Sequence, residues 1–139
     1  MILWRASNYQ TVDGAGGLYV SGRWHTKGGP VVYCTLNPST ALLETLVHME
    51  IDSEDRPERF QVLRAEGPDS LSIEKVESDS LSPNWADELS ATQAMGDRQL
   101  YEVRSLLLQV PSVLVPETWN VLVNPQHIEA NLLKMTAMY

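Results

Sequence analysis

Six of the eight glycines in this 139-residue chain fall between positions 14 and 29: Gly14, Gly16, Gly17, Gly22, Gly28 and Gly29. Glycine has no Cβ, loses more backbone freedom on folding than any other residue, and weakens helices and strands alike. The segment therefore reads as a long irregular connection, and long loops inside compact domains tend to carry function. Gly14-Ala15-Gly16-Gly17 matches neither GxGxxG nor the P-loop pattern, and no strand-then-helix context surrounds it, so both nucleotide-loop readings are rejected.

Regular elements are expected on either side. Residues 2–6 and the β-branched, apolar run 31–36 read as strands. Asn37-Pro38-Ser39 then opens a helix, with Asn or Ser as cap and Pro in the first turn, running to about Met49. Its apolar face is expected to be Leu42, Leu43, Leu46, Val47 and Met49, with Glu44 and His48 on the opposite side. Residues 60–65 and 71–76 alternate as strands, parted by Gly67-Pro68-Asp69. Residues 84–104 read as helix broken near Gly96, 106–115 as extended chain with an irregularity at Pro111, and 119–123 as a strand. Asn124-Pro125 reads as the start of a terminal helix. The fold class is α+β in a single domain spanning 1–139, with the strand order not readable.

Composition narrows the function classes. A 43% hydrophobic and 20% charged chain is globular, and no apolar run reaches the roughly 18 residues of a membrane span. Cys34 is the one cysteine, which excludes a disulfide framework and a cysteine-based zinc site. No signal-peptide pattern is visible, and the cytoplasm is the expected compartment. The formal charge of −8 disfavours direct binding to nucleic acid and suits a basic protein partner. Within residues 1–49, however, Arg5, Arg23 and Lys27 face only Asp13 and Glu44, a balance that suits a site for an anionic small molecule. The acids at 50, 52, 54, 55 and 58 read as solvated surface.

Several side chains could carry chemistry. Glu44 either faces solvent beside His48 or lines a cleft, where small Ala41 and Thr45 would let a ligand approach closely. In Gly22-Arg23-Trp24-His25, the Arg23 fork can grip a phosphate and Trp24 can wall a ring; the plainer reading is a surface arginine and a core tryptophan. Tyr33 sits in the strand before the helix, and Ser112 follows Pro111 in an apolar run without a GxSxG elbow. Asn124-Pro125-Gln126-His127 reads by itself as a helix cap, and the three histidines show no metal spacing.

Taken in order, Gly22-Arg23-Trp24-His25, Pro30-Val31-Val32-Tyr33, Ala41-Leu42-Leu43-Glu44 with His48, Gly96-Asp97, Val110-Pro111-Ser112 and Asn120 through His127 resemble the RES domain, the toxin family of RES–Xre toxin–antitoxin pairs. The resemblance runs from about Trp4 to His127, with Gln99 where the family often has a tryptophan. It implies a compact fold like that of ADP-ribosyltransferase toxins and a reaction on NAD⁺, either its degradation or transfer of ADP-ribose to a protein. It implies Arg23, Tyr33, Glu44 and Ser112 as catalytic residues, and Arg23, Trp24, Tyr33, Arg5 and Asn124 as NAD⁺-binding residues. NAD⁺ would be substrate, with no other cofactor and no metal. The implied partner is an Xre-like helix-turn-helix antitoxin, and self-association stays open. A non-catalytic nucleotide-binding or interaction module is the alternative from another class.

Overall fold

The computed structural model describes residues 1–7, 13–48 and 61–139. Among them, seven strands form one sheet in the order β4-β5-β6-β2-β1-β3-β7. The strands are β1 (Ile2–Ser7), β2 (Val32–Thr35), β3 (Gln61–Glu66), β4 (Ile73–Lys75), β5 (Leu107–Pro111), β6 (Trp119–Val123) and β7 (Lys134–Met138). All neighbours pair antiparallel except β4 with β5. The helices are α1 (Gly16–Tyr19), α2 (Pro38–His48) and α3 (Leu89–Glu102). None of the described helices is long and apolar enough to cross a membrane.

The central strands are buried on both faces, which explains their near-continuous apolar sequences. Side chains alternate between faces along a strand. Leu107, Val121, Val123, Val32 and Cys34 enter one core with Leu3, Leu106 and Leu133. Their neighbours Leu108, Val110 and Leu122 enter a second core with Trp24 and Val31, against which Tyr33 packs. Each fully buried leucine or valine contributes about 1.5–3 kcal/mol of transfer free energy.

The expected elements at 2–6, 31–36, 60–65, 71–76 and 119–123 correspond to strands, but four readings need correction. First, α2 is turned round. Ala41 is buried, whereas Leu42, Leu43 and Leu46 are 38%, 41% and 45% exposed. The helix meets β1 through small side chains, with the Thr45 hydroxyl shared between the Ala41 carbonyl at 2.9 Å and the Ala6 carbonyl at 3.2 Å. Asn37 is the cap, its Oδ1 accepting the Thr40 N–H at 2.8 Å. Met49, Phe60, the side chain of His48 and the acids at 50–58 lie outside the described residues.

Second, α3 runs through Gly96 unbroken. A Cβ there would overlap the Trp24 carbonyl oxygen, so this glycine serves close packing and not a helix break. Third, no α-helix follows Asn124-Pro125. A short 3₁₀ turn, Ile128–Leu132, is capped by His127 Nδ1, which accepts the Glu129 N–H at 3.1 Å. Fourth, Lys134–Met138 forms a strand, β7, where no strand is expected. Most of its side chains are exposed, so no buried alternation marks it, and its pairing with β3 makes it a strand.

Candidate active site

A cavity of about 700 Å³ opens over the middle of the sheet, within the range of small-molecule sites. Arg5 of β1, Arg23 and Trp24 of the glycine-rich segment, Tyr33 of β2, Glu44 of α2 and Asn120 of β6 all line it. The inward face of α2 (Ala41, Glu44, Thr45 and Val47) is therefore a cleft wall.

The Gly22–His25 turn closes on itself, Gly22 N–H donating to the His25 carbonyl at 3.0 Å. The face of α3 toward it holds the backbone of this turn. Gln93 Nε2 donates to the Gly22 carbonyl at 3.0 Å and Thr92 Oγ1 to the Arg23 carbonyl at 2.7 Å. Asp97 accepts both the Thr26 N–H, at 2.9 Å, and its hydroxyl, at 2.7 Å. Gly96 leaves room for the Trp24 carbonyl. The Gly96-Asp97 pair thus has two separate physical jobs, clearance and capping. Trp24 is buried against Trp85 with ring centroids 6.0 Å apart. Arg23 Nη1 donates to the Ala86 carbonyl at 2.8 Å, which anchors the guanidinium at the cavity. Gln99, which stands in the expected tryptophan position, is buried and donates from Nε2 to Ser105 Oγ at 2.6 Å.

Tyr33 Oη accepts the Trp24 N–H at 3.2 Å and lies 2.7 Å from His25 Nδ1. Burial raises the phenol well above its ordinary value, and Asp97 adds to the effect, so Tyr33 stays a neutral hydroxyl. Burial likewise pushes the Cys34 thiol up to about 12, which removes it as a nucleophile near neutral pH.

Glu44 is oriented from β5 and β6. Ser112 Oγ donates to Glu44 Oε1 at 2.7 Å, and Asn120 Nδ2 donates to the same oxygen at 3.0 Å. Ser112 Oγ meanwhile accepts the N–H groups of Leu114 and Val115 at 3.1 and 3.3 Å. A hydroxyl has one proton, so Ser112 spends it on Glu44 while its oxygen caps the turn after β5. Ser112 therefore holds Glu44 in place.

The structure brings Arg5, Arg23, Trp24, Tyr33, Glu44 and Ser112 to one place. It does not bring Asn124 there. Asn124 is 1% exposed, donates from Nδ2 to the Leu100 carbonyl at 3.1 Å and accepts the Gln126 N–H at 3.1 Å. It lies four positions beyond Asn120, about 13 Å along an extended chain, so it staples the far end of β6 to α3. Asn120 is the residue that sequence reasoning missed as part of the site. Its signal was a lone amide inside the apolar strand Trp119-Asn120-Val121-Leu122-Val123.

An oriented carboxylate and an anchored guanidinium sharing a cavity on a mixed sheet define an enzyme-like site for an anionic small molecule. The RES domain family matches residues 2–137, and the chain belongs to that family. It is 47% identical over 135 residues to the Toxin Res of Pseudomonas putida, covering 97% of this chain and 92% of that one. It is 34% identical over 135 residues to the Prs ADP-ribosylating toxin of a Sphingobium strain, covering 93% and 83%. The fold is shared with the M. tuberculosis MbcT–MbcA toxin–antitoxin complex, at a TM-score of 0.77 and 14% identity, over 99% of this chain and 82% of the matched one.

Proposed function

We propose that this RES toxin of a toxin–antitoxin pair cleaves the nicotinamide–ribose bond of NAD⁺ and depletes the cell of it. The observation that carries the reading is Glu44, held by Ser112 and Asn120 in the cavity that also contains Arg23 and Tyr33. Breaking that bond develops positive charge on the ribose while a neutral pyridine leaves, so no general acid is needed. A fixed carboxylate stabilises the developing oxocarbenium ion, and one such preorganised group supplies on the order of 3–4 kcal/mol. The Arg23 guanidinium, with one N–H on Ala86, retains other donors for the pyrophosphate. Tyr33 provides a flat wall for the nicotinamide, and Trp24 supports it from the core. Arg5 adds a second cation for the anionic ligand.

A second reading, transfer of ADP-ribose to a protein, is favoured by the printed name of the 34% identical relative. One experiment addresses both. Purified toxin, freed of antitoxin, is incubated with NAD⁺ labelled in the adenosine half while nicotinamide is followed. Nicotinamide release with free label supports degradation, and label retained on protein supports transfer. No release with water, phosphate or protein as acceptor rules out both and leaves the non-catalytic module.

The partner we propose is an Xre-like helix-turn-helix antitoxin that covers the cavity, with a terminal carboxylate pairing with Arg23 in place of pyrophosphate. The −8 charge leaves DNA contact to that partner. NAD⁺ and antitoxin are then expected to exclude each other, and a ternary complex with unchanged NAD⁺ affinity would overturn the covered-cavity arrangement.

A further inference from the structure

The turn that carries Arg23 ends in a histidine to which neither the fold nor the proposed reaction has given a task. His25 is 2% exposed, unusually deep for an imidazole, and it contributes to the cavity lining. Its Nδ1 lies 2.7 Å from Tyr33 Oη, and its Nε2 has no hydrogen-bond partner among the described residues. A buried polar ring that satisfies one nitrogen and leaves the other unmet is costly. Its retention calls for a return, and the Tyr33 contact is where the geometry supplies one.

The hydrogen-bond arithmetic at Tyr33 Oη fixes the direction of that contact. The oxygen already accepts the Trp24 N–H at 3.2 Å. The phenol proton must go somewhere, and Nδ1 is within reach. A separation of 2.7 Å suits an O–H donor, whereas N–H donors sit nearer 2.9–3.0 Å. Tyr33 therefore donates and His25 Nδ1 accepts, which places the imidazole proton on Nε2. Gly22 belongs to the same device, because a Cβ there would overlap Tyr33 Oη and press on His25 Nδ1.

We infer that His25 is a positioning residue, which takes the Tyr33 proton through Nδ1 and so locks the phenol ring as a fixed wall of the cavity. The bond also ties the Arg23 turn to β2, since His25 is two residues from Arg23 and its carbonyl closes that turn. With its proton committed to His25, Tyr33 presents ring surface and not a hydroxyl donor to whatever occupies the cavity. The kinetic part of this inference rests on the NAD⁺ reaction proposed above. The hydrogen-bond part does not.

Amide side chains offer a discriminating test. Asparagine places an acceptor oxygen near the position of Nδ1, whereas glutamine reaches toward that of Nε2. His25→Ala and His25→Gln should each lower kcat/KM for nicotinamide release about tenfold, chiefly through KM, and His25→Asn should restore most of it. Tyr33→Phe should cost a similar factor, and adding His25→Ala to it should cost little more, because both remove one bond. Thermal melting of each variant separates misfolding from mispositioning. Independently of catalysis, ¹⁵N NMR of the wild-type imidazole should show Nδ1 unprotonated and Nε2 protonated, with the tautomer balance changing in Tyr33→Phe. Additive losses in the double variant, equal rescue by Asn and Gln, or a protonated Nδ1 in the wild type would each overturn the assignment. If the wild type releases no nicotinamide, the proposed reaction fails and the NMR result alone decides the role of His25.

Discussion

The two working walls of the cavity are built by opposite means. The Arg23 wall is held through its backbone: α3 binds the carbonyls of Gly22 and Arg23 and the N–H of Thr26, and makes space for the carbonyl of Trp24. The Glu44 wall is held through side chains, with Ser112 and Asn120 both reaching one carboxylate oxygen. Backbone support is distributed, so one lost bond is buffered by the others. Side-chain support is concentrated, and each group removed acts directly on the Glu44 carboxylate.

This contrast can be broken in a defined order. The largest effect is expected for Glu44→Gln, which removes the charge but keeps an oxygen for Ser112 and Asn120. Nicotinamide release should fall about 10²–10³-fold with the melting temperature near that of the wild type. A folded Gln variant with full activity, or one that still arrests growth, would remove Glu44 from the chemistry. Next comes Gly96→Ala, which should lower stability by about 3 kcal/mol in denaturant titrations, because the new methyl group and the Trp24 carbonyl compete for one volume. A neutral result would mean that α3 can retreat from the turn at no cost.

Asn120→Ala then tests the concentrated wall. Losing one donor to a carboxylate should cost about 2 kcal/mol, roughly 30-fold in nicotinamide release, with little change in stability. Thr92→Val tests the distributed one: about 1 kcal/mol of stability should go with the Arg23 carbonyl contact, and turnover should hardly change. If Thr92→Val instead cripples turnover in a stable protein, the buffering argument is wrong. The smallest effect concerns Cys34. Its buried thiol, raised to about 12, should resist a disulfide reagent at neutral pH in the folded protein and react once the chain is unfolded.

What could be read from the sequence follows the same division. Arg23, Tyr33 and Glu44, which short motifs carry, line one cavity, and Ser112 bonds Glu44. The strands were legible where burial is complete, as in β5 and β6. The orientation of α2 was not, because hydrophobic periodicity located its leucine face and assumed that this face looks inward. Here Ala41 and Thr45 meet β1 instead, since small residues permit the closer approach. Gly96 misled for a related reason: a glycine read as a helix breaker is a contact point, and its partner, Trp24, lies 72 positions earlier in the chain. Asn124 was expected at the site, but its side chain turns to the Leu100 carbonyl, and Asn120 lines the cavity. The register of β6 with β2 sets Asn120 opposite Thr35, beside the cavity. His25 escaped because a lone histidine has no spacing by which to be recognised.

The order of strands in the sheet has a temporal meaning. Among the strand pairs, β5 with β6 joins segments only a short turn apart, while β2 must find β6 across some 85 positions of chain. The bonds that orient Glu44 close loops of 68 and 76 residues. Contacts of such long sequence separation form late and slowly. A growing chain that has already made Arg23, Tyr33 and Glu44 still lacks Asn120 and the strand that β2 leans on. The two bonds that orient Glu44 are thus absent from any N-terminal fragment that ends before Ser112.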